Sequence, residues 1–148
     1  MNYEVAIAIP TLNEERFISR CLDSIIKQTF KFEKMDVMII DGGSNDKTKD
    51  IVAEYQKSHQ NIRFIENKKK IQSVAFNIGF KKSTAPYIIR LDAHAEYDSK
   101  YISLCIENLK QDEKRGNVGG RCNILPFNQS LWAQTNAILN HSRFGIGG

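Results

Sequence analysis

Apolar residues follow two patterns along this chain. Short unbroken apolar runs, typical of strands buried on both faces, span residues 4–9, 35–40, 62–65 and 87–91. Stretches with apolar side chains every three or four residues, typical of amphipathic helices, span 14–28, about 47–57, 71–82 and 98–111. Strands that alternate with helices predict an open, mostly parallel α/β sheet with helices on both faces.

The last quarter of the chain continues this alternation less clearly. Residues 117–124 resemble a fifth strand weakened by glycines, and Pro126-Phe127 breaks it. Helical spacing returns at 130–141. The 148 residues suffice for one domain with a substantial core.

Local signals suggest how the helices begin and what they bury. Asn13 is predicted to be the N-cap of the first helix, and either Asp46 or Ser44 is predicted to be the N-cap of the second. Side chains of these types accept hydrogen bonds from the N–H groups at the start of a helix. Leu104 is expected in the core with the other apolar residues of the fourth helix. Gly79 inside the third helix suggests either close packing against a neighbour or a close approach of the backbone.

Three strands run into polar loops: Pro10-Thr11-Leu12-Asn13-Glu14, Asp41 to Thr48, and Asp92-Ala93-His94. In a parallel sheet, these loops lie at the carboxyl edge, where such folds bind ligands. Asp92 and His94 could reach one ion only if the chain turns just after Asp92, because alternate side chains of a strand diverge. A carboxylate there suits Mg²⁺ or Mn²⁺, although many strands end in Asp for turn formation alone.

Composition narrows the class of protein. The net charge is +4, and the basic and acidic residues are interspersed along the chain. The one basic run, Lys68-Lys69-Lys70, is too short to indicate nucleic-acid binding. Cys21, Cys105 and Cys122 form no CxxC pair, so buried, reduced thiols are expected for the first two. No apolar run is long enough to span a bilayer, and the N-terminus lacks signal-peptide features. A cytoplasmic protein is expected.

The first loop excludes two common nucleotide folds. It lacks the GxGxxG of dinucleotide-binding dehydrogenases, and GxxxxGK(S/T) is absent from the chain. A nucleotide would therefore be read by side chains, with its diphosphate held by a metal. Asn13, Glu14, Asp41 and Asp92 are the candidates.

These loops, in this order, resemble the nucleotide-binding half of a family 2 glycosyltransferase with the GT-A fold. The stretch from Ile71-Gln72-Ser73 to Asn77-Ile78-Gly79 adds to the likeness. The Asp92-Ala93-His94 form, Asn117-Val118-Gly119-Gly120 and Ser142 to Gly148 resemble the succinoglycan-type exopolysaccharide branch. The resemblance implies a Rossmann-like sheet, incomplete at its C-terminal side. On the residues alone, Phe144 to Gly148 is either an active-site turn or a frayed tail.

The resemblance also implies roles by position. Pro10, Thr11 and Glu14 would line the uracil and ribose pocket, and Asp41 would accept a hydrogen bond from the uracil imide. Lys70 would approach the diphosphate or remain a solvated loop lysine. Asp46 and Thr48 fit a helix N-terminus better than a ligand.

Metal binding is implied at Asp92 and His94, with Mn²⁺ or Mg²⁺ as cofactor. His94 replaces the family's second acidic residue and brings no negative charge, so Mg²⁺ should be held less tightly. No general base is identified: it is expected beyond Gly148, and Glu96 and Asp98 would face the donor.

The implied activity is an inverting transfer of a sugar, from UDP-hexose, to a lipid-linked or polysaccharide acceptor in exopolysaccharide, capsule or envelope synthesis. In full-length form the protein would work at the inner face of the membrane. A nucleotide-sugar-binding fragment without activity is the alternative. A sugar nucleotidyltransferase is disfavoured, because it would need a glycine- and arginine-rich first loop.

Overall fold

We analysed a computed structural model, which describes residues 2–126 and 128–141. The chain divides into two compact units, residues 1–107 and 108–148. The strands are β1 (Val5–Thr11), β2 (Met35–Asp41), β3 (Ile62–Glu66) and β4 (Tyr87–Arg90). The α-helices are α1 (Ile18–Ile26), α2 (Thr48–Ser58), α3 (Gln72–Lys82), α4 (Tyr101–Lys110) and α5 (Leu131–His141), with a short 3-10 helix at Phe32–Lys34.

The four strands form one parallel sheet in the order β3-β2-β1-β4. Val5 pairs with Met35 at one end of β1 and Thr11 with Asp41 at the other, so β1 and β2 end together. Every residue of β2 is buried, as expected for a central parallel strand. The predicted α/β class and the shared carboxyl edge are confirmed.

Each face of the sheet has its own apolar core. One face packs against α1, α2 and α4 through Ile18, Leu22, Val52, Ile102 and Ile106. The other face carries a smaller cluster, in which Ala75 of α3 joins Ala6, Ala8, Met38 and Ile40.

The prediction of close packing at Gly79 is confirmed. A Cβ placed there would come within 2.8 Å of the Ala8 Cβ and 3.1 Å of the Ile40 Cδ1. The missing side chain lets α3 lie directly on β1 and β2, and this places the first turn of α3 beside the sheet's carboxyl edge.

Several local predictions are wrong. Residues 117–124 form no strand, so the described part of the chain has four strands and not five. Leu104 is 49% exposed, because α4 turns Ile102, Cys105 and Ile106 inward instead. The first helix begins at Ile18, and Asn13 does not cap it.

The second unit contains α5, whose Ala137 is buried while Leu131, Trp132 and Ile138 are exposed. Within the described ranges, no helix combines the length and apolar composition that crossing a bilayer requires. The segment 142–148, part of the sequence resemblance, lies outside the described residues, as does Phe127.

Candidate nucleotide-binding site

A cavity of about 180 Å³ opens at the carboxyl edge of the sheet, inside the first unit. All four strands or the segments after them contribute to its wall, as does the first turn of α3. Its lining residues are Pro10, Thr11, Leu12, Glu14, Ile40, Gly42, Asn67, Lys70, Ile71, Gln72, Ala75, Asp92, Ala93 and His94. Six predicted site residues thus meet in one place: Pro10, Thr11, Glu14, Lys70, Asp92 and His94.

Asn13 and Asp41 are the two predicted site residues outside this lining. Asn13 has a left-handed backbone (φ 55°) and joins the first two loops. Its N–H donates to the Ser44 hydroxyl (2.8 Å), and its side-chain oxygen accepts from the Asn45 N–H (2.9 Å). The Asn13 side chain therefore fixes one loop to the next, and this explains why it does not serve as a helix cap.

Asp41 is only 4% exposed and folds its own turn. Its Oδ2 accepts from the N–H groups of Gly43 and Ser44, both at 2.8 Å, and its Oδ1 accepts from the Ser44 hydroxyl at 2.5 Å. Gly43 has φ 88°, a conformation that disfavours a side chain. Ser44 is thus committed to Asp41 and does not cap α2.

Asp46 contacts the N-terminus of α2, as predicted, although the N-cap position itself is Lys47 and not Asp46. Its Oδ1 accepts from both the N–H and the hydroxyl of Thr48, the first residue of α2, and its Oδ2 accepts from the Glu15 N–H. Glu15 adds a second contact between the two loops, since its carboxylate accepts from the Lys47 N–H at 2.9 Å. Burial acts to raise the pKa of Asp46, but the hydrogen bonds outweigh it and the pKa is lowered.

The chain turns directly after β4, as the metal hypothesis required. Leu91 and Ala93 are each 1% exposed and pack into the core. Asp92 and His94, which alternate with them along the chain, line the cavity. The Ala95 N–H donates to the Asp92 carbonyl and closes the turn. Asp92 Oδ1 accepts from the Arg90 guanidinium at 2.9 Å.

The two predicted metal ligands offer a carboxylate and an imidazole on one wall of the cavity. His94 Nδ1 lies 3.2 Å from Glu14 Oε1. Within the described residues, no group of three or more His, Cys, Asp or Glu side chains could hold a metal ion. A cation here would thus need oxygen atoms from a ligand or water, which is how Mg²⁺ and Mn²⁺ are usually held beside phosphates.

Asn67, which directly follows β3, is a site residue that the sequence analysis missed. It is 2% exposed, and its side-chain N–H₂ donates to the Ile71 carbonyl at 2.9 Å. Its Oδ1 is buried without a hydrogen-bond partner among the described residues, although it belongs to the cavity wall. A buried acceptor without a donor indicates a missing partner. Its place just after a strand of this sheet was the available signal.

Lys70 lies beside Asn67 in the same wall, again with a left-handed backbone (φ 55°). Its N–H donates to the Asn67 carbonyl at 3.0 Å, and its side-chain end extends over Gly43. The cavity therefore has a cationic group near the second loop and an acidic group at the end of β4.

Cys21 lies below the site on α1, and its thiol faces the Asp92 carbonyl at 3.6 Å. Burial, helped by the negative charges of Glu14 and Asp92, raises the pKa of Cys21 to about 12. The thiol stays protonated, so it acts as core packing and not as a nucleophile. Cys21 and Cys105 are free and buried, as predicted, while Cys122 is exposed.

An open parallel α/β sheet with a cavity at its carboxyl edge is the arrangement of the GT-A fold class. Solved structures share this fold. They include S. aureus TarS 1-349 in complex with UDP (TM-score 0.66, 18% identity, 82% of this chain and 39% of that one). Another is the mannosyltransferase PcManGT from Pyrobaculum calidifontis in complex with GDP-Man and Mn²⁺ (TM-score 0.67, 23% identity, 74% and 33%).

Sequence comparison then identifies the family. The glycosyl transferase family 2 profile matches residues 6–146, so the chain belongs to this family. It is similar to a Methanococcus voltae dolichyl N-acetyl-alpha-D-glucosaminyl phosphate 3-beta-D-2,3-diacetamido-2,3-dideoxy-beta-D-glucuronosyltransferase (37% identity, 88% of this chain and 42% of the relative). It is also similar to the succinoglycan biosynthesis protein ExoA of Rhizobium meliloti (33%, 69% and 31%). The chain therefore spans less than half the length of these relatives.

Proposed function

We propose that this chain binds the donor of an inverting glycosyltransferase that moves a sugar from a nucleotide diphosphate to an acceptor hydroxyl. The observation that carries the proposal is that the first loop, Asn67, Lys70, Asp92 and His94 line one cavity. The family membership supports it. Donor binding at the carboxyl edge of an open α/β sheet follows the general rule for such folds.

The base of the nucleotide would lie between the first loop and Asn67. Uracil presents one N–H donor, and the unpartnered Oδ1 of Asn67 supplies a buried acceptor for it. Asp41 stays a second candidate for this hydrogen bond, although its carboxylate already accepts three. UDP is therefore the proposed nucleotide, and UDP-hexose the proposed donor.

The diphosphate would lie between Lys70 and Asp92. Asp92 and His94 fit Mn²⁺ or Mg²⁺, since Asp92 Oδ2 accepts no hydrogen bond from any described residue and both side chains face the cavity. When bound, the cation would offset the negative charge of the departing diphosphate. Asp92 and His94 would hold the cation, and Lys70 would place a second positive charge beside the phosphates.

Transfer also needs a base that takes the acceptor's proton, and we assign this role to no described residue. Glu96 is paired with Arg20, and the Asp98 carboxylate accepts from the Lys100 N–H at 2.9 Å. Neither belongs to the cavity wall. This observation keeps the alternative of a donor-binding chain without transfer activity. A lipid-linked or polysaccharide acceptor, exopolysaccharide synthesis and action at the cytoplasmic face of the membrane stay predictions from the sequence resemblance.

Calorimetric titration tests the proposal. UDP, GDP and ADP would be titrated into the chain with Mn²⁺, with Mg²⁺ and with EDTA. We expect UDP to bind tightest, with Mn²⁺ more effective than Mg²⁺. Asp92→Ala should bind UDP equally with Mn²⁺ and with EDTA, whereas Asp50→Ala, an exposed carboxylate on α2, should behave as wild type.

Three outcomes would contradict parts of the proposal. Absence of nucleotide binding would contradict the proposed donor site. Equal affinities for the three nucleotides would contradict recognition of uracil. An unchanged UDP affinity in EDTA would contradict the role of the cation. Incubation with UDP-hexoses and lipid-linked acceptors would then separate a complete transferase from a chain that binds donor without transfer.

A further inference from the structure

Both main-chain polar groups of Asp92 are hydrogen-bonded to one side chain, that of Tyr97. The Tyr97 hydroxyl accepts from the Asp92 N–H at 2.7 Å and donates to the Asp92 carbonyl at 3.2 Å. This carbonyl also accepts from the Ala95 N–H at 3.2 Å, which closes the turn, and from the weak Cys21 thiol donor at 3.6 Å. One phenol therefore fixes the peptide groups on either side of the Asp92 Cα.

Tyr97 is itself anchored to α1. Its N–H donates to the Ser24 hydroxyl at 3.2 Å, and that hydroxyl donates to the Cys21 carbonyl at 2.7 Å. Its ring packs against Tyr101 of α4, with ring centroids 5.4 Å apart. Tyr97 thus lies in a loop that is held by contacts to α1 and to α4.

The chemistry of the hydroxyl suits this double role. A phenol that keeps its proton can donate one hydrogen bond and accept another. A tyrosine hydroxyl ordinarily keeps its proton at physiological pH, so it can form both bonds there.

We propose that Tyr97 is a positioning residue that holds Asp92 where its carboxylate can share a divalent cation with the nucleotide diphosphate. This inference rests on the proposed function. Ligand-bearing loops must be held within about half an ångström of the productive geometry. Residues that support metal ligands typically change metal affinity by about 10–100-fold when they are altered.

The test compares Tyr97→Phe with wild type in two measurements. The first is the ratio of the UDP dissociation constants in EDTA and in Mn²⁺, which reports how strongly the cation assists binding. We expect Tyr97→Phe to lower this ratio by about 10–100-fold. If the wild-type ratio is itself below about 10, we expect the ratio of the variant to fall to one, which means that the cation no longer assists binding. The metal-free UDP affinity should be unchanged, because the variant keeps the ring and every cavity side chain.

The second measurement is hydrogen exchange of the Asp92 amide by NMR without ligand. Loss of the hydroxyl should speed this exchange by about tenfold, since a hydrogen bond of ordinary strength is removed. Tyr55→Phe is the matched control: its hydroxyl donates to Ser19 and Asp23, outside the cavity. It should change neither the ratio nor Asp92 exchange.

The outcomes separate the two proposals. A wild-type chain that binds no UDP, or binds it without help from Mn²⁺, overturns the cation-assisted function and this inference with it. A wild-type ratio retained in Tyr97→Phe overturns the inference alone. If Tyr97→Phe does not fold, Ser24→Ala takes its place, since it releases the Tyr97 N–H from α1. A lower ratio then supports the inference, and an unchanged ratio overturns it.

Discussion

His94 Nδ1 lies 3.2 Å from Glu14 Oε1, although 80 residues separate them along the chain. The contact joins the loop after β1 to the turn after β4 across the mouth of the cavity. A neutral His94 that donates from Nδ1 to Glu14 carries its free lone pair on Nε2, the form that a metal ligand requires. Glu14 would thus orient His94, in addition to its predicted place in the nucleotide pocket.

The first prediction concerns the choice of cation. His94→Asp should improve the use of Mg²⁺, because a second carboxylate suits this hard ion better than imidazole. It should also weaken metal-free UDP binding, since the new carboxylate would face Glu14 and Asp92 without a positive charge between them. Titrations of UDP with Mn²⁺, Mg²⁺ and EDTA measure both effects. An unchanged order of the two cations would contradict the prediction.

Glu14→Gln is the companion variant for that experiment. Glutamine can still accept from Nδ1, so the contact survives with a weaker, uncharged partner. We expect a smaller loss of cation assistance than in Asp92→Ala. A loss as large as that of Asp92→Ala would instead make Glu14 itself a ligand.

The second prediction concerns recognition of the base. If Asn67 Oδ1 accepts from the uracil imide, methylation of that nitrogen should weaken UDP binding to wild type by about 1–3 kcal/mol. In Asn67→Ala the same methylation should cost far less, because the acceptor is gone. This cycle isolates the contact from other effects of the substitution. A methylation penalty that is equal in the two proteins would assign the imide to another residue.

Asp41 is tested in the same cycle. Asp41→Asn should weaken UDP binding by about 1–3 kcal/mol if its carboxylate reads uracil. Because Asp41 also folds its turn, Ser44→Ala serves as the control: it removes the hydroxyl from Oδ1 and leaves the carboxylate in place. A methylation penalty lost in Asp41→Asn but kept in Ser44→Ala would favour Asp41 over Asn67.

The sequence was sufficient to predict the parallel sheet and the meeting of three loops at its carboxyl edge. Continuous apolar runs mark buried parallel strands, and the polar residues after them meet at one edge because parallel strands share a direction. The turn after Asp92 was predictable for the same reason, since a continued strand would separate its side chain from that of His94.

Contacts between the loops could not be predicted, because they depend on distances across the sheet and not along the chain. Asn13 matches the composition of an N-cap, yet its side chain bonds Asn45 on the next loop. Asn67 gives no local signal apart from its place after β3, and its unpartnered oxygen is apparent only in the folded chain. The strand expected at 117–124 rested on weak propensity in a glycine-containing segment, which did not suffice to form one.

The third prediction concerns Gly79. Alanine normally stabilises a helix interior by up to about 1 kcal/mol relative to glycine. At this position its Cβ would lie 2.8 Å from the Ala8 Cβ, and the resulting overpacking typically costs about 1–3 kcal/mol. We expect Gly79→Ala to lower the free energy of unfolding, measured by urea denaturation. Asn77→Ala, at an exposed position of the same helix, should leave it equal or higher.

The fourth prediction concerns the ion pair between Asp36 of β2 and Arg63 of β3. The guanidinium donates to both carboxylate oxygens, at 2.7 and 2.6 Å, and the Asp36 side chain is only 5% exposed. Arg63→Met would leave a buried carboxylate without its counter-ion, and we expect a loss of about 3 kcal/mol in the free energy of unfolding. This figure lies at the low end for buried pairs because Arg63 is 39% exposed. Adding Asp36→Leu to Arg63→Met removes the stranded charge and should restore much of the loss. Urea denaturation of both variants distinguishes a stranded charge from a general loss of packing, since a packing defect would deepen in the double variant.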